Sequence, residues 1–222
     1  RAAEFLPEMA TAYPDLTLRH FTTMTSGYRA QGDEPRGSYS HGPSRTSFVP
    51  NGKPLFLPGS HYAYWDSAMN QFGNVLTQIA GKPLEDLFRQ RIALKIGMNP
   101  ERWRWGAFEE SDGTKVNGGA GNSGKNLFIS ATEMARLGWL FLNHGRWGSE
   151  QLIPSDWVAQ ATSVQVPAGL PLGHPESEIL GPGVYGFNWW RNGRHADGTL
   201  KWPGTPESTY SASGFNNNHL FV

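Results

Sequence analysis

The sequence predicts an α+β protein, with helices filling the front of the chain and strands the back. Three observations carry this. Residues Met69, Phe72, Leu76 and Ile79 fall three or four apart, the stripe of an amphipathic helix, and further helical stretches follow it. Val184 to Trp190 and Ser208 to Ser213 then read as strands, joined by a connection punctuated by Gly and Pro. No internal repeat interrupts that order. The expected organisation is a mainly helical region with long loops over 1–182 and returning strands over 183–222, both parts of one domain.

In chain order, Glu4 to Met9 reads as a short helical segment closed by Tyr13-Pro14-Asp15. Thr17 caps a helix whose Leu18, Phe21 and Met24 share a face, and Gly27 ends it. Residues 29–59 are rich in Gly, Pro, Ser and Arg without a steady period and read as a long loop. The helix after Pro58-Gly59 begins with Asp66, whose carboxylate can accept the free N–H groups of the first turn. Tyr64 and Trp65 precede it, at the positive end of the helix dipole, where a phenol has its anionic form favoured. Pro83 suits a first helical position, Leu84, Leu87, Phe88, Ile92 and Ile96 make a buried side, and Gly97 closes the helix. Residues 99–126 read as irregular. Ser130 and Glu133 form a capping-box pair ahead of a helix that ends at Gly145, and Leu152 to Ser155 opens another containing Trp157 and Val158. From Pro167 to Pro182 the chain is loop, and Asn216-Asn217 turns into a third strand after Ser213.

The totals narrow the functions. The 222 residues carry 19 basic and 19 acidic side chains, so no charge imbalance recommends nucleic acid or an anionic membrane as a partner. No apolar run reaches the ~18 residues that a membrane span requires. With no cysteine, thiol nucleophiles, disulfides and zinc-thiolate sites are excluded. Seven histidines lack metal-ligand spacing, so neither a metal nor a cofactor is expected. Arg1 at the start, and Asn218 to Val222 as a strand that stops in mid-run, lead us to expect a piece of a longer protein.

Three patterns have bland readings that outweigh the sharp ones. Gly119 to Lys125 satisfies most of a phosphate-binding loop, but Asn126 stands where a Ser or Thr belongs, and the strand-before, helix-after context is missing. Glu109 and Glu110 are adjacent in an acidic turn and read as solvated, not as a glycosidase pair across a cleft. Trp65, Trp103, Trp105, Trp189 and Trp190 could stack a sugar or apolar ligand, yet their spacing favours no single exposed face.

An ordered series of segments resembles the serine hydrolase family that includes class C β-lactamases, D-alanyl-D-alanine carboxypeptidases and related esterases. Leu16 to Gly27 is similar to the family's helix ending in Thr-Ser-Gly. Pro58-Gly59 with Tyr64-Trp65-Asp66 resembles its Pro-Gly and Tyr-x-Asn segment. Gly81 to Leu84 with Ile96 to Met98, Ser130 to Arg136, and Tyr185 to Trp190 resemble the elements that follow, and Ser211 to Gly214 lies where the family keeps its third motif. The resemblance implies a β-lactamase/transpeptidase-like fold, here incomplete, with a helical region packed on a mixed antiparallel sheet. It implies a serine nucleophile in Ser-x-x-Lys, an acyl-enzyme, a small-molecule or peptide substrate and an exported or periplasmic address.

Carried onto this chain, Tyr64 is the acid/base and Asp66 takes the Asn position. Ala212, Ser213 and Gly214 form the substrate-binding strand, and the N–H of Phe215 is one oxyanion donor. Three departures stand out. No Ser-x-x-Lys occurs in these residues, so either it lies upstream and this fragment is inert, or the protein never had it. Asp66 replaces an amide donor with a group that only accepts when ionised, suited to holding the lysine or capping its helix. Ala212 stands where Lys or His is usual, which shifts the expectation toward an esterase or amidase acting on a less anionic substrate, unless Arg191 or Arg194 substitutes. The rival from another class is a non-catalytic protein of the same fold that binds a peptide or glycan.

Overall fold

The computed structural model describes residues 1–32, 48–110, 112–118, 124–173, 180–214 and 217–222. The chain packs as two compact units that interleave in sequence. The first gathers Arg1–Arg89, Arg104–Phe128 and Pro171–Ile179, and the second Gln90–Trp103, Ile129–Leu170 and Leu180–Val222. Helices and small antiparallel sheets make up both.

In the first unit the segment before Tyr13 is two 3-10 turns, Ala2–Glu4 and Pro7–Met9, too short in apolar spacing to sustain a helix. Helix α1 (Leu18–Thr22) starts at Thr17, whose side chain accepts from the His20 N–H while the His20 ring accepts from the Thr17 N–H. The expected cap is therefore present, with histidine as the reciprocal partner. Phe21 is fully buried and stacks on Phe72 with ring centroids 5.5 Å apart. The turn after α1 needs left-handed backbone at Met24 (φ 56°) and Gly27 (φ 65°). A Cβ on Gly27 would stand 2.1 Å from the Phe56 carbonyl oxygen, so glycine is required there on two counts.

Helix α2 (Asp66–Ala80) is the longest element. Its buried surface differs from the expected stripe: Phe72 and Leu76 are half-buried and Ile79 is 43% exposed, while Asn70, Gln71, Asn74 and Thr77 are buried. The helix is enclosed over its first three turns, so its polar residues go inside with the apolar ones. Close packing explains Gly73, where an added Cβ would lie 2.7 Å from the Asn117 carbonyl oxygen. Helix α3 (Leu84–Phe88) starts after Pro83, which is its N-cap, not its first residue. The expected long helix to Gly97 is broken, because residues Arg89–Ala93 are π-helical.

The stretch expected to be irregular, 99–126, contains three short strands, β1 (Trp103–Trp105), β2 (Ala107–Glu109) and β3 (Lys115–Asn117), and β4 (Leu127–Ile129) follows it directly. Strands β2 and β3 form a hairpin with Phe108 opposite Val116. The Asn117 side chain fixes this hairpin to α3, accepting from the Glu85 N–H at 2.8 Å and donating to the Trp105 and Gly106 carbonyls. Residues 119–123 of the glycine run lie outside the described residues. Lys125 donates to the Ala107 carbonyl at 2.7 Å, so its ammonium is engaged with backbone.

In the second unit, helix α4 (Ala131–Leu142) is capped by Ser130. The reciprocal half of the expected capping box does not form, because Glu133 is buried and pairs with Arg136 at 3.3 Å. Arg136 in turn donates to the Ile96 carbonyl. A hairpin of β5 (Arg146–Trp147) and β6 (Glu150–Gln151) follows, then α5 (Ser155–Ala161).

The strand expected over Val184 to Trp190 is instead a turn: Gly186 N–H donates to the Trp189 carbonyl, and Asn188 is left-handed at φ 58°. Only Trp190–Arg191 extends, as β7, and it pairs with β8 (Tyr210–Gly214), which pairs with β9 (Asn218–Phe221). The order is β7-β8-β9, all antiparallel. Leu220 of β9 packs on α4 at Gly138, where a Cβ would meet its Cδ1 at 2.8 Å.

Gln71 supplies a stability test. It is fully buried, and among the described residues neither its amide nitrogen nor its oxygen has a hydrogen-bond partner. An orphaned buried amide costs about 1–3 kcal/mol. Gln71→Met, which keeps the volume, is therefore expected to raise unfolding stability by about 1–2 kcal/mol in urea denaturation. A lowered midpoint would show that the amide is satisfied.

Candidate active site

The first group of predicted residues lies where the chain enters α2. Backbone hydrogen bonds hold this lead-in from two sides. Ala63 N–H donates to the Met24 carbonyl at 2.9 Å, Tyr62 N–H to the Pro171 carbonyl at 2.8 Å, and Gly173 N–H to the Tyr62 carbonyl at 2.8 Å. Gly59 N–H also donates to the Thr25 carbonyl at 2.8 Å, and the Thr25 hydroxyl lies 2.8 Å from that of Thr23. The Thr25-Ser26-Gly27 turn and the Tyr62–Tyr64 segment are thus one hydrogen-bonded assembly. Tyr62 is completely buried and Tyr64 half-buried.

Asp66 is the first residue of α2, and the cap position belongs to Trp65, which makes no side-chain cap. The expected Asp66 cap is therefore corrected by one position, because a first-turn carboxylate interacts with the dipole without closing the Ncap hydrogen bond. Asp66 is buried and acts on Tyr64. Burial pushes the Tyr64 phenol up to about 12, and the Asp66 carboxylate adds to that rise. The expectation that the helix dipole favours a phenolate here is overturned, since desolvation and a nearby negative charge both favour the neutral form. The Tyr62 phenol is raised well above its ordinary value, by burial first and by Tyr64 second.

The second group lies on β8. Ala212 is paired with Leu220 and Ser213 with His219, and Gly214 with Asn218. Paired residues share a face and neighbours alternate, so Ala212 joins Leu220 on the α4 face. Ser213 looks the other way, with Ser211 and His219. Its hydroxyl is 3.1 Å from His219 Nδ1 and 3.2 Å from the Ser211 hydroxyl. Phe215 lies outside the described residues.

The structure therefore brings Tyr64 and Asp66 together in one unit, and Ala212, Ser213 and Gly214 together in the other. Of the two arginines weighed as substitutes for a cation at Ala212, Arg194 is engaged with Glu207, and Arg191 is paired with Tyr210 across β7 and β8. Sequence reasoning missed the Ser213–His219 pair. The signal was available in the Ser-x-Ser alternation of β8, but fixing the partner required the hairpin register. Among the described residues no group of His, Asp and Glu is placed to hold a metal, and no helix is long and apolar enough to cross a membrane.

The family model described as Beta-lactamase matches residues 1–219. No curated protein matches the sequence. Among solved structures, a provisional beta-lactamase from Bacteroides dorei aligns over 100% of this chain and 64% of its own, at 21% identity and TM-score 0.71. A penicillin-binding protein homologue from Caulobacter crescentus aligns over 100% of this chain and 66% of its own, at 16% identity and TM-score 0.66. EstCE1, a hydrolase with promiscuous acyltransferase activity, aligns over 99% and 68%, at 18% identity and TM-score 0.65. The chain thus spans about two thirds of the length of these structures, and at such identities the likeness is one of fold.

The coupling of Tyr64 to Asp66 yields a pH prediction. A phenol whose folded value lies above its ordinary 10.0 contributes stability that is complete below that pH. The contribution is lost as pH rises through about 12. Difference absorbance of tyrosinate between the wild type and Tyr64→Phe should show one phenol titrating late. In Asp66→Asn the same phenol should titrate earlier yet still above its ordinary value, because burial is the larger cause. Ordinary titration of Tyr64 in the wild type would refute the assignment.

Proposed function

The chain belongs to the beta-lactamase family, whose members are typically serine hydrolases, and we propose that its parent protein cleaves an ester or amide through an acyl-enzyme. The observation that carries this reading is the Tyr64–Asp66 pair at the clamped entrance of α2. In it a phenol is kept protonated beside a buried carboxylate.

In the proposed reaction the serine of a Ser-x-x-Lys segment, outside these 222 residues, attacks the substrate carbonyl through its Oγ. Its proton passes by way of the lysine and Tyr64 to the leaving oxygen or nitrogen, and the acyl group stays on serine. Water then takes the acyl group, its proton retracing the path. Backbone N–H groups, that of Phe215 among them, stabilise the tetrahedral oxyanion. Ala212, Ser213 and Gly214 line the substrate wall.

Asp66 has two roles in this scheme. Its carboxylate keeps the Tyr64 proton in place until a cation approaches, and it offers that cation a partner. A tyrosine poised near 12 donates readily to a leaving group once the lysine ammonium shares the site. The same phenol becomes a competent base when that ammonium lowers it. The second reading is a protein of this fold that binds a peptide or glycan without turnover, and it would hold if the full-length protein carries no Ser-x-x-Lys.

A fluorophosphonate probe separates the two. The full-length protein is expected to label on a single serine, and Tyr64→Phe to label about 10²–10⁴-fold more slowly, the usual weight of general acid–base catalysis. The 222-residue chain alone is expected not to turn over a p-nitrophenyl ester. A folded full-length protein that never labels would establish the binder instead.

A further inference from the structure

One side of the β7-β8-β9 sheet carries, besides Ser213, side chains that the hydrolytic scheme does not use. Trp190 and Ser211 are paired, as are Ser211 and Phe221, and Ser213 and His219. Pairing and alternation place these five side chains on the face opposite Ala212 and Leu220. The connection between β7 and β8 contributes Lys201 and Trp202. The Lys201 ammonium sits 3.9 Å from the centroid of the Trp190 ring and 5.5 Å from that of Trp202. Trp202 meets Phe221 edge-on at 5.2 Å, and Phe221 lies 5.6 Å from the His219 ring. Lysine, indole, phenyl and imidazole thus follow one another along a strip. Trp190 is buried beneath it, whereas Phe221 is 53% exposed.

Two features separate this strip from ordinary surface. The ammonium has three N–H donors, and its neighbours are π faces, which attract its charge without accepting a directed hydrogen bond at full strength. Among the described residues no carboxylate or carbonyl takes up those donors. The acids of the same connection are committed elsewhere: Glu207 to Arg194, and Asp197 to the Thr199 N–H and hydroxyl. Burial already lowers the Lys201 pKa, so the charge is held in partial desolvation with nothing opposite it.

The rest of the strip is also firmly built. Asn192 donates to the carbonyls of Trp202, Thr205 and Pro206, and accepts from the Trp202 N–H at 2.8 Å. That network fixes the backbone on which Lys201 and Trp202 stand. At the other end Ser213 lies 3.1 Å from Nδ1 of His219. When Ser213 donates to Nδ1, the ring carries its proton on Nε2 and offers a donor from an exposed imidazole.

We propose that this strip is a binding site for a small carboxylate with an aromatic or branched apolar body, its carboxylate on Lys201, its body against Trp202 and Phe221, and a hydrogen-bond acceptor toward His219. The site shares Ser213 with the substrate wall described above and otherwise stands apart from it. A carboxylate fits better than a phosphate because one ammonium and one imidazole supply few donors, and the intervening surface is apolar.

The probe is N-acetyl-phenylalanine, with its uncharged carboxamide as control, titrated by calorimetry into the 222-residue chain. The acid is expected to bind saturably, and the amide about tenfold or more weakly, the weight of one charge-assisted hydrogen bond. Lys201→Met, which keeps the stem over Trp190, should lose that preference, and Lys201→Arg should retain it. The His219 ring protons should shift in NMR on addition of the acid. Equal binding of acid and amide, unaltered preference in Lys201→Met, or no binding to the wild type would each overturn the site. Because binding is read rather than turnover, such a failure leaves the acyl-enzyme reading to its own labelling test.

Discussion

The first unit depends on how the chain enters α2. Residues Tyr62 to Trp65 run extended between the turn at Met24 and the segment at Pro171 to Gly173, bonded to both through main-chain atoms. Main-chain clamps of this kind hold position without regard to side-chain identity. The residue that follows is therefore presented at a fixed height and angle, and that residue is Tyr64. Left-handed backbone at Met24 and Gly27 makes the clamp possible, and close approach of Phe56 to Gly27 locks it. The strained turn is thereby a support for the tyrosine.

From that position the electrostatics follow. A carboxylate at residue 66, where an amide would donate to a substrate, reverses the sense of the neighbouring field. It opposes ionisation of Tyr64 in the same direction as burial does. A phenol so placed is a poor base until positive charge arrives, and in the proposed mechanism this would couple proton transfer to the lysine. An amide at the same position would leave the phenol less dependent on that partner. Asp66 therefore raises the phenol beyond what burial does, and in the proposed mechanism it would also receive the cation that lowers it.

Helix starts and strand order were legible in the sequence because local chemistry settles them. Thr17 and Ser130 cap where expected since each precedes an apolar periodic run, and the last two strands, β8 and β9, lie where the sequence places them. Failures came where tertiary packing overrode periodicity. The stripe on α2 missed the buried polar face because an enclosed helix has no solvent side to display. Tyr185 to Trp190 alternates like a strand yet turns at Asn188, whose side-chain type tolerates the left-handed region. Tyr64 and Asp66 were singled out through the ordered motifs, but the direction of the Tyr64 shift was not anticipated. The helix dipole is visible in sequence, and the burial that outweighs it is not.

The β8 strand shows what alternation alone determines. Ala212 and Ser213 are neighbours in sequence and face opposite sides, so a missing charge at 212 cannot be replaced from 211 or 213. It can be replaced only by a residue from another segment. Arg194 is held by Glu207, while Lys201 is held by ring faces alone. An ion pair satisfies a cation and withdraws it from ligands; an aromatic seat fixes it in place and leaves its hydrogen-bond donors open. The connection between β7 and β8 has thus committed Glu207 to Arg194 and Asp197 to Thr199, while its Trp202 joins Trp190 of β7 around Lys201. That division leaves the Lys201 ammonium with capacity for an anion.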